Sequence, residues 1–434
     1  MDWRLFEKRL HQRTETEHIP GAAVAVSKNG EIIYYKGFGV KDLESMEPIT
    51  PKTIFGIASV TKSFTALAIM KLEEEGKLSL HDPVIKYIPE FHIPNIDPIE
   101  SIKIHHLLTH TTGLAPMERS EELNQFHEHL TYLAETNHDI LGEPGEFLSY
   151  CNDTFLLLGA IIERLTGRLF RRYITEELLY PLQMHRSTLS IEEISKLDDV
   201  STPYVYNPEK ERYEKQCWPT LGNYEVGGGI RSNVLDLLKY GGLYVNQGEV
   251  FISKKQLEKM WQPYVQINRN SFYGYALEIT PKYHGVTLVE HSGGQPGVSS
   301  NFGFIPEQKL VVAVLTNTSE VPAKDIWLEL VNTALGLPIE EKRSVEPTLE
   351  LTEERKQGFV GTYQSNEGTC LQIVFENGSL KAKIENKVFS LRASDKSTLV
   401  ITDYEKPIRF YFNQKNETWA AFFGLRMLIK TDGH

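Results

Sequence analysis

The segment SVTKSFTALAIMKLEEEG, residues 59–76, places a hydroxyl and an amine three residues apart at the head of an apolar helical run. Phe64, Leu67, Ala68, Met70 and Leu72 recur at helical spacing, and Gly76 stands where helices end in a left-handed residue. A helix is therefore predicted over residues 59–75, with Ser59 opening it. On such a helix Ser59 and Lys62 share one face, their Cβ atoms about 5 to 6 Å apart. A serine hydroxyl is a weak nucleophile that needs a base, and lysine serves when burial or nearby positive charge makes its neutral form accessible. The positive end of the helix disfavours protonation of Lys62 and lets the Ser59 N–H face an oxyanion. The plain alternative is a helix cap followed by an exposed lysine, and this tetrapeptide alone does not decide the matter.

Upstream, residues 2–17 carry Trp3, Leu5, Phe6 and Leu10 among charges, an amphipathic helix. Ala22–Ser27 and Ile32–Tyr35 are apolar runs flanking Asn29-Gly30, a hairpin signal. Downstream, residues 80–260 are rich in helix-like segments broken by Pro and Gly, among them Ile104–Leu108, Thr154–Thr166 and Asn233–Asn246. Strand character returns at Thr287–Glu290, Ser300–Ile305 and Leu310–Leu315, the last two joined at Pro306-Glu307. Strand-rich ends around a helical centre predict an α+β fold: one antiparallel sheet built from both ends, flanked by helices, with a helical insertion and the active site where they meet. Pro338, Pro347 and clustered charges mark a linker. Beyond it, Leu371–Phe375, Leu380–Ile384, Leu399–Ile401 and Ile408–Phe412 alternate apolar and polar, with Asn377-Gly378 as a turn, which predicts a small all-β barrel or sandwich. The expected organisation is a body over 1–340, a linker over 341–356 and a β domain over 357–434.

Two further segments carry chemistry. Tyr150-Cys151-Asn152 lies on a loop leading into an apolar helix, where Tyr150 can shuttle a proton and Asn152 can orient a substrate amide. The phenol's ordinary pKa is near 10, so general-base work by Tyr150 needs neighbouring cations such as Lys62. His291-Ser292-Gly293-Gly294 is placed between two predicted strands, where Gly293 and Gly294 let a ligand or another chain approach the backbone. There His291 adds a donor or acceptor near the attacked carbonyl, and the Gly294 N–H supplies a second oxyanion donor. An ordinary core tyrosine and a Gly-rich hairpin with a surface histidine are the respective alternatives.

Together and in this order, the three segments resemble the serine β-lactamase-like and penicillin-binding hydrolases, closest to class C β-lactamases, DD-peptidases and related esterases. The resemblance spans about residues 15–335 and extends to Ile104–Leu114, Pro181–Met184 and Gly227–Ser232. It implies Ser59 as the acylated nucleophile, Lys62 and Tyr150 as the proton-transfer pair, and Asn152, His291, Gly293 and Gly294 as substrate contacts, with Ser59 and Gly294 N–H groups as the oxyanion hole. Many members carry lysine where this chain has His291, which weakens a clamp for a substrate carboxylate. The expected activity is that of a peptidase or amidase on D-amino-acid peptides working through an acyl-enzyme. The alternatives are a carboxylesterase on small esters and a penicillin-binding or sensing protein that does not turn over. The terminal β domain resembles the lipocalin-like appendage of some of these peptidases.

Composition narrows the partners. A net charge of −12 without a dense basic run excludes nucleic acid. No run of about 18 apolar residues predicts a membrane span, and Met1–Pro20 lacks the apolar core of a signal peptide, so a cytoplasmic protein is expected. Cys151, Cys217 and Cys370 fit free thiols. His105, His106 and His110 are expected to satisfy backbone groups rather than hold a metal, and the Gly227–Gly229 run lacks the sequel of a phosphate loop. No metal or cofactor is expected. The partner is a small-molecule or short-peptide substrate, with a homo-oligomer left open.

Overall fold

A computed structural model describes residues 2–246, 251–385 and 387–431. The hairpin signal at Asn29-Gly30 is realised with φ of 54° and 85°, the left-handed pair that a tight turn between twisted strands requires. Its strands, Gly21–Lys28 and Glu31–Gly39, form one edge of an eight-stranded antiparallel sheet. Gly21–Lys28 pairs on its other side with Leu310–Thr316, Val24 opposite Val314, so the two ends of the body meet in mid-sheet. The order then runs through Val298–Ile305, Val286–Gln295, Glu278–Tyr283, Phe272–Tyr273 and Val265–Gln266.

Period-two alternation assigns the sheet's two faces. Val24, Val26, Val312 and Val314 pack under the helices Trp3–Thr16 and Ala323–Leu335, with Phe6, Leu10 and Trp327 filling that layer. Ala23, Ala25, Val311, Ala313 and Leu315 face the larger helical layer, whose centre is the helix Thr61–Glu74. That helix is buried from Thr61 to Met70 and again at Leu72, so its first turns lie inside the fold on every side, Thr61, Lys62, Ser63 and Thr65 included. It ends at Gly76 with φ 70°. Its start corrects the expectation from sequence: Ser59 sits in a 3-10 turn, Ala58–Val60, one step before the α-helix. The predicted helix over Thr154–Thr166 is two, Asn152–Phe155 and Leu157–Thr166.

The carboxy-terminal region is a closed antiparallel barrel of eight strands between Gly361 and Thr431. Thr362 opposite Thr431 closes it, and Asn377-Gly378 makes the expected turn, both residues at positive φ. Tyr363, Leu371, Ile373, Leu399, Ile401, Ile408, Phe410 and Leu428 belong to its core. Ala420, Phe422 and Met427 point the other way, into a seam shared with Leu148, Tyr150 and Tyr273 of the sheet-and-helix body. None of the described helices is long and apolar enough to cross a membrane.

Candidate active site

The site is built where the 3-10 turn, the sheet and the helical layer meet. Ala58 holds φ at 45°, a left-handed conformation that a side chain pays to adopt, so the turn carrying Ser59 is held by its surroundings. Hydrogen bonds to Ile230 flank the turn on both sides: Ile57 N–H donates to Ile230 O at 3.1 Å, and Ile230 N–H donates to the Thr61 side-chain Oγ1 at 3.1 Å. Ser300 Oγ donates to Ile57 O at 2.8 Å.

Lys62 is 1% exposed. Its Nζ donates to Asn152 Oδ1 at 2.8 Å and to Gly227 O at 3.0 Å, and lies 3.4 Å from Ser59 Oγ. Burial, then the charge of Arg119, draws its pKa down to about 7. A neutral amine has two N–H donors and one lone pair. With both donors taken by Asn152 and Gly227, the lone pair of the neutral amine is left for Ser59 Oγ, 3.4 Å away. A Cβ at Gly227 would stand 2.7 Å from Nζ and displace it from this position, so the absence of a side chain there makes room for the amine.

Tyr150 is buried, with Lys62 Nζ 5.0 Å from its ring centre and its hydroxyl without a hydrogen-bond partner among the described residues. Burial raises its pKa well above 10, outweighing the neighbouring Ser59 hydroxyl and Arg426, so Tyr150 is a neutral phenol here and not a phenolate base. His110 lies against this ring at 4.1 Å between centroids and accepts the Cys151 N–H through Nδ1 at 3.3 Å. Burial also holds the Cys151 thiol up at about 12, so the thiol beside Tyr150 is inert.

His291-Ser292-Gly293-Gly294 lies within the strand Val286–Gln295, not between two strands. The glycines hide the alternation from the sequence, and Gly293 is the one that permits a close approach: a Cβ there would be 2.3 Å from Ile57 O and 3.0 Å from Ser59 N, whereas a Cβ at Gly294 would meet open space. His291 is buried, unlike a surface histidine, with Nδ1 bonded to Ser292 O at 2.6 Å and Nε2 to the Tyr273 hydroxyl at 3.2 Å. Burial, then Lys62, lowers its pKa to about 3, so it is neutral near pH 7 and both ring nitrogens are engaged.

The cleft is lined by Ser59, Lys62, Asn152, Gly294 and Gln295, and on the far wall by Arg119 and Tyr224. Tyr224 donates to the buried Asp153 at 2.5 Å, under the guanidinium of Arg119 4.7 Å from its ring. Sequence reasoning missed this wall, and it missed two barrel residues at the site. Glu367 accepts an Asn152 Nδ2 proton at 2.9 Å and pairs at 2.5 Å with Arg426, whose guanidinium lies 5.0 Å from the Tyr150 ring centre. His105 and His106 stand apart, bonded to the Tyr275 hydroxyl and the Lys103 N–H.

An antiparallel sheet, a helical layer across it and a serine–lysine pair at the head of the helix between them define the serine β-lactamase-like class of fold. The Beta-lactamase family model matches residues 6–334, and the chain belongs to the Beta-lactamase family. Penicillin-binding protein 4* of Bacillus subtilis (strain 168) is 26% identical over 412 residues, 88% of either chain. Protein flp of Staphylococcus aureus (strain NCTC 8325 / PS 47) is 38% identical over 314 residues, which are 69% of this chain and 60% of flp. Among solved structures, the octameric penicillin-binding protein homologue from Pyrococcus abyssi superposes with a TM-score of 0.74 at 31% identity, over 99% of this chain and 100% of that one.

Proposed function

We propose that the protein is a serine hydrolase that forms an acyl-enzyme at Ser59 and cleaves peptides or amides of D-amino acids. The observation that carries the hydrolytic reading is the buried Lys62, its two donors spent on Asn152 and Gly227 and its Nζ beside Ser59 Oγ. Neutral Lys62 takes the Ser59 proton as Oγ attacks the carbonyl, and the N–H groups of Ser59 and Gly294 stabilise the resulting oxyanion. The Tyr150 phenol, kept neutral by burial, hands a proton to the leaving amine and is reprotonated from Lys62. Water then repeats the sequence on the acyl-enzyme. Similarity to penicillin-binding proteins supports the D-peptide class.

A second reading, a carboxylesterase on uncharged esters, is favoured by His291: its neutral, fully bonded ring offers no permanent charge to a substrate carboxylate. Two unpaired exposed thiols, Cys217 and Cys370, suit a reducing compartment, and the octameric relative suits self-association.

Intact-mass spectrometry after incubation with a penicillin, a D-alanyl amide and a small activated ester, alongside turnover assays, tests the assignment. We expect a covalent adduct and hydrolysis in the wild type, both absent in Ser59→Ala, with the preferred substrate separating peptidase from esterase. Equal turnover by the two proteins would remove Ser59 from the mechanism.

A further inference from the structure

The barrel places a carboxylate against Asn152, one of the residues that line the cleft. Glu367 lies in the turn between the strands Gly361–Gln364 and Cys370–Glu376, and its side chain is only 8% exposed. A carboxylate this buried needs partners, and it has two. Oε2 takes the Arg426 Nε proton, while Oε1 takes a proton from Asn152 Nδ2 at 2.9 Å. Arg426 is steadied in turn by a bond to Gly424 O at 3.2 Å. The Asn152 amide cannot turn over to avoid Glu367, because its oxygen must accept from Lys62 Nζ. Lys62, Asn152 and Glu367 therefore form one chain from the nucleophile to the barrel. The ion pair is neutral in sum, but the member on the Asn152 side is the anion.

Resting on the acyl-transfer reading above, we propose that Glu367 is a specificity-determining residue contributed by the barrel, one that makes the acyl subsite beside Asn152 prefer groups bringing an ammonium or amide N–H over groups bringing a carboxylate. One Nδ2 proton of Asn152 is taken by Glu367, and the second remains for an acceptor on the substrate's acyl portion other than the attacked carbonyl, which the Ser59 and Gly294 N–H groups hold. The free lone pairs of Oε1 then accept from a donor on the neighbouring substrate atom. A carboxylate at the same place meets a fixed anion, with His291 neutral, Arg426 already paired with Glu367 and Arg119 across the cleft on the Tyr224 ring.

The test is binding to the Ser59→Ala protein, which reads the subsite without requiring turnover. D-alanyl, N-acetyl-D-alanyl and N-succinyl-D-alanyl amides are titrated by NMR against this protein, against Ser59→Ala with Glu367→Gln, and against Ser59→Ala with both Glu367→Ala and Arg426→Ala. The triple variant leaves neither charge unpaired and guards against loss of barrel docking. We expect the D-alanyl amide to bind at least about tenfold more tightly than the succinyl derivative when Glu367 is present, the size of effect a partly buried charge confers. Both Glu367 replacements should shrink that ratio about tenfold. A ratio unchanged within twofold, or a succinyl derivative bound most tightly while Glu367 is present, would overturn the proposal. Failure of the wild type to form a Ser59 adduct would instead count against the acyl-transfer reading, leaving the charge preference to be read from these titrations.

Discussion

At the scale of single residues, the proposed chemistry turns on one amine, Lys62, whose ordinary pKa is 10.5 and which this fold brings to about 7. Burial penalises the ammonium, so folding favours the neutral form. The sign follows: Lys62 contributes stability at high pH, a contribution lost as pH falls from 10.5 through about 7. Activity should fall in the same direction, because the protonated amine has no lone pair for the Ser59 proton. We expect kcat/KM for a small neutral ester to rise with pH along a limb centred near 7 and then level off. His291 is neutral over that whole range and should add no limb of its own. Lys62→Arg, whose guanidinium keeps its proton, should lose about 10² to 10⁴ of the rate at every pH. A profile flat between pH 5 and 9, or an active Lys62→Arg protein, would show that another group is the base.

At the scale of elements, the placement of Ser59 depends on a strand passing close to a turn. Gly293 permits it, since any Cβ there would enter the space of Ile57 O and Ser300 Oγ. Gly293→Ala should leave the thermal unfolding midpoint within a few degrees yet lower kcat about a hundredfold, as misplacement by about 1 Å does. Near-wild-type kcat in that variant would mean that the strand does not set the position of Ser59. This element also marks where sequence reading stops. The hairpin at Asn29-Gly30 was legible because its turn chemistry is local, and the helix after Ser59 because its apolar run is long. The strand holding His291 was read only to Glu290, since two glycines carry no period-two signal. The Ala58 turn was equally hidden: nothing local announces a left-handed alanine flanked by bonds of Ile57 and Thr61 to the distant Ile230. Ser59, Lys62 and Asn152 were legible as motifs and meet in space, whereas the neutrality of Tyr150 and His291 comes from burial, which a linear pattern does not express.

At the scale of the whole molecule, the barrel is part of the site's frame, and contacts between residues more than 200 positions apart left no local trace in the sequence. Tyr150 owes its backbone bond to the barrel: its N–H donates to Leu425 O at 2.8 Å, while Met427 N–H donates to Ser149 Oγ at 3.3 Å. Around these bonds Ala420, Phe422 and Met427 fill one apolar seam with Leu148, Tyr150 and Tyr273. Two parts that share a seam and hold Tyr150, the proposed proton donor, between them should unfold together and lose activity together. Met427 is fully buried, so Met427→Ala should cost about 2 to 5 kcal/mol by removing its contacts and leaving a cavity. Differential scanning calorimetry should show a single transition in the wild type and a lower one in Met427→Ala, with hydrogen exchange at the Tyr150 amide accelerated and kcat reduced more than KM is changed. Two separate transitions in the wild type would contradict this coupling. So would full activity in Met427→Ala with faster exchange at Tyr150, because the backbone bond to Leu425 would then be dispensable to the chemistry it frames.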